Sequence, residues 1–205
     1  MILTPQVYDS IREIINMGMG QSAGLLNEMF NTHITIKIPD IRVFLKEELG
    51  NTASQLWPEG VSVVWFPFSG ALEGMSYILF QSNIASRLVD LLGGDTTDDS
   101  VMDLIKIGAL IEVGNIVLNG VVGTMVNILN ARLNYAVPDY HEAIASQLIS
   151  ENRLEPNAII IMAKTCFEIK GHLINGDMLI CLQPGSFDTI IKYINDMFKT
   201  YGETP

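Results

Sequence analysis

From Pro5 onward, apolar or small residues recur at Val7, Ile11, Ile14, Gly18, Leu25 and Met29, the spacing of one helix face. Thr4-Pro5 reads as an N-cap followed by proline at the first helical position, and the spacing predicts a helix to about Asn31. Gly18, Gly20, Ser22, Ala23 and Gly24 weaken helix propensity but permit close approach of another element. The period then drops to two. HITIKI (33–38) alternates as a strand that Pro39 ends or marks as an edge, and IRVFLK (41–46) is a further strand candidate. Asn51 to Gly60 is loop-like. VSVVWFPF (61–68) and LEGMSYILF (72–80) are β-branched and aromatic runs separated by Ser69-Gly70, which predicts a hairpin. A helix over Asn83–Leu92 is closed by Gly93-Gly94, and Asp95 to Ser100 reads as a polar linker, with Asp98 or Asp99 as helix cap.

The second half follows the same order. A long helix ends near Asn130, LNYAV (133–137) is a strand, and Tyr140–Glu151 suggests a helix. The runs 158–169 and 177–182 form a strand pair, and Ser186 to Phe198 is a closing helix. The parallel extends to single residues. Glu13, Asn16 and Pro39 recur 99 positions later as Glu112, Asn115 and Pro138, with 22 residues between Asn and Pro in both copies. At roughly 5% usage per residue type, three such identities at a preset offset arise on the order of once in ten thousand. Ile11/Leu110, Ile14/Val113, Phe30/Leu129, Ile34/Leu133, Gly24/Gly123, Asn31/Asn130 and Asp40/Asp139 fall in the same register. The pattern predicts an internally duplicated, pseudo-two-fold α+β domain, residues 1–205, built of repeats over about 4–94 and about 99–199. Its β-sheet is covered by the two long helices, because neither half is large enough to bury its own apolar face.

At 100° per residue Asp9, Glu13, Asn16 and Gly20 share an arc of about 60°, opposite the apolar stripe. Glu112 and Asn115 likewise face away from Leu110, Val113, Val117, Thr124 and Ile128. Upstream the phase fails at Lys106, which predicts that the regular helix starts or bends near Gly108. Glu and Asn on the wet side of a helix are usually just solvated. Here the pair is kept in both copies while neighbours diverged (Ser10 against Ala109, Arg12 against Ile111, Gln21 against Gly120), and Asn is a mediocre helix former. That raises Glu13, Asn16, Glu112 and Asn115 to candidate site residues.

Composition narrows the classes. A formal net charge of −11 leaves no basic stripe to neutralise phosphates, so nucleic acid is not an expected partner. Mean hydropathy is high at +0.30, yet Glu112, Asn115 and Asn119 interrupt the most apolar segment, and membrane insertion is not expected. MILTPQVYDS has neither the basic start nor the apolar core of a secretory signal, so the cytoplasm is the expected compartment. Cys166 and Cys181 lie in strand-like runs without CxxC spacing and are expected to be buried free thiols. His33, His141 and His172 are scattered, so no metal centre is expected.

Asp9-x3-Glu13-x2-Asn16-x22-Pro39, embedded in IREIINMGMGQSAGLLNEMF and doubled within one chain, resembles the CheC branch of the CheC/CheX/FliY phosphatases of bacterial chemotaxis. The family signature is [Asp/Ser]-x3-Glu-x2-Asn-x22-Pro. The first copy satisfies it throughout; the second departs at its first position, where Gly108 replaces Asp or Ser. Two copies favour the CheC type, since the CheX type keeps one working motif per chain. FliY-type relatives carry an additional domain for which no room is expected here. The resemblance implies hydrolysis of the aspartyl phosphate of the response regulator CheY. It implies no cofactor of this chain's own, because the receiver supplies its divalent cation, Mg in the expected case. Glu13 and Glu112 would pair with the receiver's active-site Lys and Asn16 and Asn115 would orient the attacking water. Asp9 would support the Glu or the helix, and Pro39 and Pro138 are read as structural, terminating the strand behind each helix. CheD is a further partner that the family suggests. The alternative is a non-catalytic module that docks receivers or CheD, and a third reading is a structural flagellar component.

Overall fold

The computed structural model describes residues 3–92, 99–144, 147–149 and 154–202. The chain runs α1 (Pro5–Phe30), β1 (Ile34–Leu45), α2 (Lys46–Leu56), β2 (Val61–Gly70), β3 (Gly74–Gln81) and α3 (Ser82–Leu92). It continues through α4 (Asp99–Ile128), β4 (Leu133–Tyr135), β5 (Asp139–Ala143), β6 (Ile159–Ile169), β7 (His172–Leu182) and α5 (Pro184–Gly202). Among the described residues, seven strands form one antiparallel sheet in the order β1-β6-β7-β3-β2-β4, with β5 also pairing β2. The fold is therefore α+β. Under the 99-residue offset this order is palindromic: β3 and β7 meet at the centre, and each half's first strand pairs with the other half's hairpin. Thus β1 lies on β6, and β4 and β5 lie on β2.

Alternation along the strands divides the interior into two clusters. Val64, Phe66, Phe68, Ile78 and Phe80 join Ile161, Ile180 and the buried sides of α1 and α4. Val61, Val63, Tyr77 and Leu79 face the other way, with Ile160, Leu179 and Cys181, against Leu49 and Ala53 of α2 and against Trp57. The burial of these side chains, at about 25 cal/mol per Å² of apolar surface, is the main favourable term holding the layers together.

The helix starts and stops follow local chemistry. Thr4 accepts a hydrogen bond from the Val7 amide at 3.3 Å, with Pro5 at the first helical position, as read from the sequence. Asn31 and Asn130, equivalent under the offset, both take the left-handed conformation just past the long helices (φ 46° and 48°), which Asn tolerates better than most residues.

Several expectations are corrected. Lys46, expected to end a strand, and residues 51–56, expected in a loop, belong to helix α2: Glu48 accepts from the Leu45 amide at 2.8 Å, and Leu49 and Ala53, one turn apart, are fully buried. Pro39 does not end its strand. β1 passes through it to Leu45, and the register against β6 breaks between Lys37 and Asp40, the bulge by which an edge strand accommodates a residue with no amide hydrogen. Pro138 does separate β4 from β5. Residues 139–143 are strand rather than helix because pairing with β2, Tyr140 opposite Val64, outweighs their spacing; within the expected helix, 147–149 are helical. α4 is helical from Asp99 rather than from Gly108, and Lys106 lines a groove of mixed character with Ser62, Ala85, Leu110, Tyr140 and Glu142. Most of the expected linker, with Asp98, lies outside the described residues. Cys181 is buried, but Cys166 is only partly so. One helix, Leu104–Ile128, has the length and composition to cross a membrane; its apolar side is part of the core, with 56% of the most apolar window buried.

Candidate functional site

α1 and α4 pass each other in opposite directions at very short range. The Ser22 hydroxyl donates to the Ile116 carbonyl at 3.1 Å and to the Gly18 carbonyl at 2.9 Å, while Gly18 faces Gly120 and Val121. The core stripe of α1 is Val7, Ile11, Ile14, Ile15, Gly18, Met19, Ser22, Ala23 and Leu26. It is turned from the expected one because α4 covers the flank holding Ser22 and Leu26. Leu25 and Met29, expected inside, are about half exposed at 53% and 50%.

The paired residues stand off this stripe. Glu13 is exposed and Asn16 is partly exposed, with the intervening Ile14 and Ile15 buried. Glu112 and Asn115 are both partly exposed, flanking buried Val113 and Gly114. A Cβ on Gly114 would meet the Val64 side chain at 2.5 Å, so β2 presses directly on the buried side of α4. At a rise of 1.5 Å per residue, the antiparallel passage separates the two pairs along the helix axes by roughly 10 Å for the Asn residues and 20 Å for the Glu residues. Each helix thus presents its own carboxylate–amide pair, and the structure does not bring the two pairs into one site.

The two copies differ in how their amides are held. The Asn119 Nδ2 donates to the Asn115 Oδ1 at 2.5 Å. The residue equivalent to Asn119 in the first copy is Gly20, beside which a Cβ would meet nothing within 4 Å among the described residues. Asn119 was not among the residues the sequence singled out as functional. The signal was there in its spacing, since four residues after Asn115 places it on the same arc. Of the supporting residues, Asp9 is exposed on α1 one turn before Glu13, and Gly108 is exposed at the matching place on α4. Pro39 lies exposed on the edge strand at the bulge, where the Tyr8 hydroxyl of α1 donates to the Ile41 carbonyl and ties the helix start to β1. Pro138 is partly buried. Among the described residues no group of three or more His, Cys, Asp or Glu is placed to hold a metal.

No family model matches the chain. The chain is 23% identical over 178 residues to the CheY-P phosphatase CheC of Bacillus subtilis, covering 80% of this chain and 85% of that protein. In fold it is similar to Thermotoga maritima FliY, with a TM-score of 0.70 and 20% identity over 96% of this chain and 99% of the other. In sequence and in fold the chain is similar to CheC/CheX/FliY proteins. A CheX-type protein of Borrelia burgdorferi, solved as a CheX–CheY–BeF3–Mg complex, shares the fold at a TM-score of 0.50 with 18% identity, over 82% of this chain and 97% of that one. FliM of H. pylori, solved with SpeE, matches at 0.66 with 16% identity, over 95% and 97%. In this chain the two carboxylate–amide pairs stand off the core, one on each of the two long helices.

Proposed function

We propose that the chain is a phosphatase of phosphorylated CheY-type receivers in chemotaxis, working in the cytoplasm through the sites Glu13/Asn16 and Glu112/Asn115. The observation that carries this is geometric. In each copy the two side chains sit three residues apart, off the core, on a helix that can be laid against another protein. A receiver's aspartyl phosphate is an activated acyl phosphate whose divalent cation and Lys belong to the receiver. Hydrolysis needs only a water in line with phosphorus. Its oxygen bonds to phosphorus, the phosphorus–oxygen bond to the aspartyl carbonyl group breaks, and the products are the free carboxylate and inorganic phosphate, which keeps both protons of the water. An Asn amide is not a base; it accepts from and donates to the water, which is positioning catalysis. Glu13 and Glu112 supply the charge that pairs with the receiver's Lys.

The test is the rate of phosphoryl loss from a phosphorylated receiver. The wild-type chain accelerates it catalytically, and Asn16→Ala with Asn115→Ala abolishes the acceleration while binding of a beryllofluoride-loaded receiver persists. Undiminished acceleration in that double variant would rule the reading out. A second reading is favoured by the likeness to FliM, whose solved complexes with SpeE and FliG show this fold used for docking. On that reading the chain binds receivers or CheD without turnover, and any effect saturates at stoichiometric amounts.

A further inference from the structure

The two copies are supported from opposite sides. The first has Asp9 four residues before Glu13 and Gly20 four after Asn16; the second has Gly108 four before Glu112 and Asn119 four after Asn115. In the second copy the trailing residue makes contact, with the Asn119 Nδ2 at 2.5 Å from the Asn115 Oδ1. Among the described residues Asn16 has no hydrogen-bond partner for its side chain, and around Gly20 the space is open. Nor does Asp9 make a side-chain hydrogen bond or ion pair within the described chain.

From this we propose, resting on the phosphatase reading above, that Asn119 is a positioning residue for the second site, and that its bond makes the second site the faster of the two. An amide held by one oxygen lone pair has a defined face: Oδ1 keeps its second lone pair for a water hydrogen, and Nδ2 points to a fixed side. A free Asn must lose side-chain rotation each time it orders a water, and an error of an ångström in the water's placement costs on the order of a hundredfold in rate. Asn119 sits beside Gly120 at the crossing with α1, where the backbone has least room to move. The hydrogen bond is therefore anchored to a rigid part of the fold. The absence of Asp at Gly108 takes nothing from this arrangement, because the support of the second amide comes from the other side.

Side-chain amide relaxation in the free protein tests the pinning without reference to activity. The Asn115 amide is expected to be ordered, the Asn16 amide mobile, and Asn119→Ala to release Asn115; equal mobility of the two in the wild-type chain overturns the proposal. Kinetics test the consequence, starting from the Asn16→Ala variant, which retains only the second site. There Asn119→Ala is expected to lower kcat about tenfold with KM and melting temperature unchanged. Combined with Asn115→Ala it lowers kcat no further than Asn115→Ala alone. In the Asn115→Ala background, Gly20→Asn is expected to raise first-site kcat several-fold. An unchanged kcat in either the Asn119→Ala or the Gly20→Asn comparison overturns the proposal. If the phosphatase reading itself were wrong, the Asn16→Ala parent and the wild type would show no turnover, while the relaxation result would stand independently.

Discussion

Gly18 and Gly120 meet where α1 and α4 cross: a Cβ built on Gly18 would lie 2.8 Å from the Gly120 carbonyl oxygen and 2.5 Å from the Val121 Cα. No side chain larger than hydrogen fits there without moving a backbone. This contact sets the separation of the two helices that present Glu13/Asn16 and Glu112/Asn115.

Gly120→Ala is accordingly expected to destabilise the protein by about 1–3 kcal/mol, the usual cost of overpacking. Its Cβ would lie 2.1 Å from the Ser22 hydroxyl and disturb the bond to Ile116 as well. Gly24→Ala is the control, since among the described residues nothing lies within 4 Å of a Cβ there. It is expected to stabilise by up to about 1 kcal/mol through helix propensity. Urea unfolding of the two variants separates crossing from propensity; equal effects would mean that the crossing is not tight.

Replacing Glu13 and Glu112 by Gln is expected to act on binding rather than on the chemical step. Loss of one charge from a pair formed at an interface corresponds here to a weakening of about tenfold in the affinity for a beryllofluoride-loaded receiver. Titration calorimetry or fluorescence reads this directly. A fall in kcat with affinity intact would instead place the carboxylates in the water-positioning step.

The two thiols are expected to differ in reactivity. Burial pushes the Cys181 thiol far above its ordinary value of 9.0, whereas Cys166 is partly exposed. Alkylation of the native protein near pH 8 should modify Cys166 first and Cys181 only as fast as the chain opens. Because the folded pKa is raised, the thiol's contribution to stability is fully present below the unfolded value and declines as pH rises past about 9. Equal labelling rates would contradict the packing of β7.

Thr165 is 2% exposed on β6, and among the described residues its hydroxyl has no hydrogen-bond partner. Thr165→Val keeps the shape and removes an unsatisfied polar atom, so a gain of about 1 kcal/mol in unfolding free energy is expected. A loss of stability would reveal a partner for the hydroxyl in solution.

Both long helices, both hairpins and the outward setting of the carboxylate–amide pairs were legible along the chain, because each rests on local chemistry. Thr4 and Pro5 start α1, Asn31 and Asn130 stop α1 and α4, and a 3.6-residue period places Glu13 with Asn16. The failures came where a distant partner outvoted local pattern. Tyr140 and its neighbours are strand because β2 offers an unpaired edge, and Leu25 lies outside because α4 occupies the flank that would otherwise be wet.

By itself the amino-acid order determined the repeat, the helix and strand types and the chemistry on offer at Glu13, Asn16, Glu112 and Asn115, since all of these depend on residues within a turn or on comparison along the chain. Tertiary structure alone decided that β1 pairs with β6 and β5 with β2, that Pro39 bulges instead of stopping its strand, and that Asn119 holds Asn115. Strand exchange between the halves and the closeness of Gly18 to Gly120 depend on burying surface contributed from about a hundred residues away, and no local period encodes that.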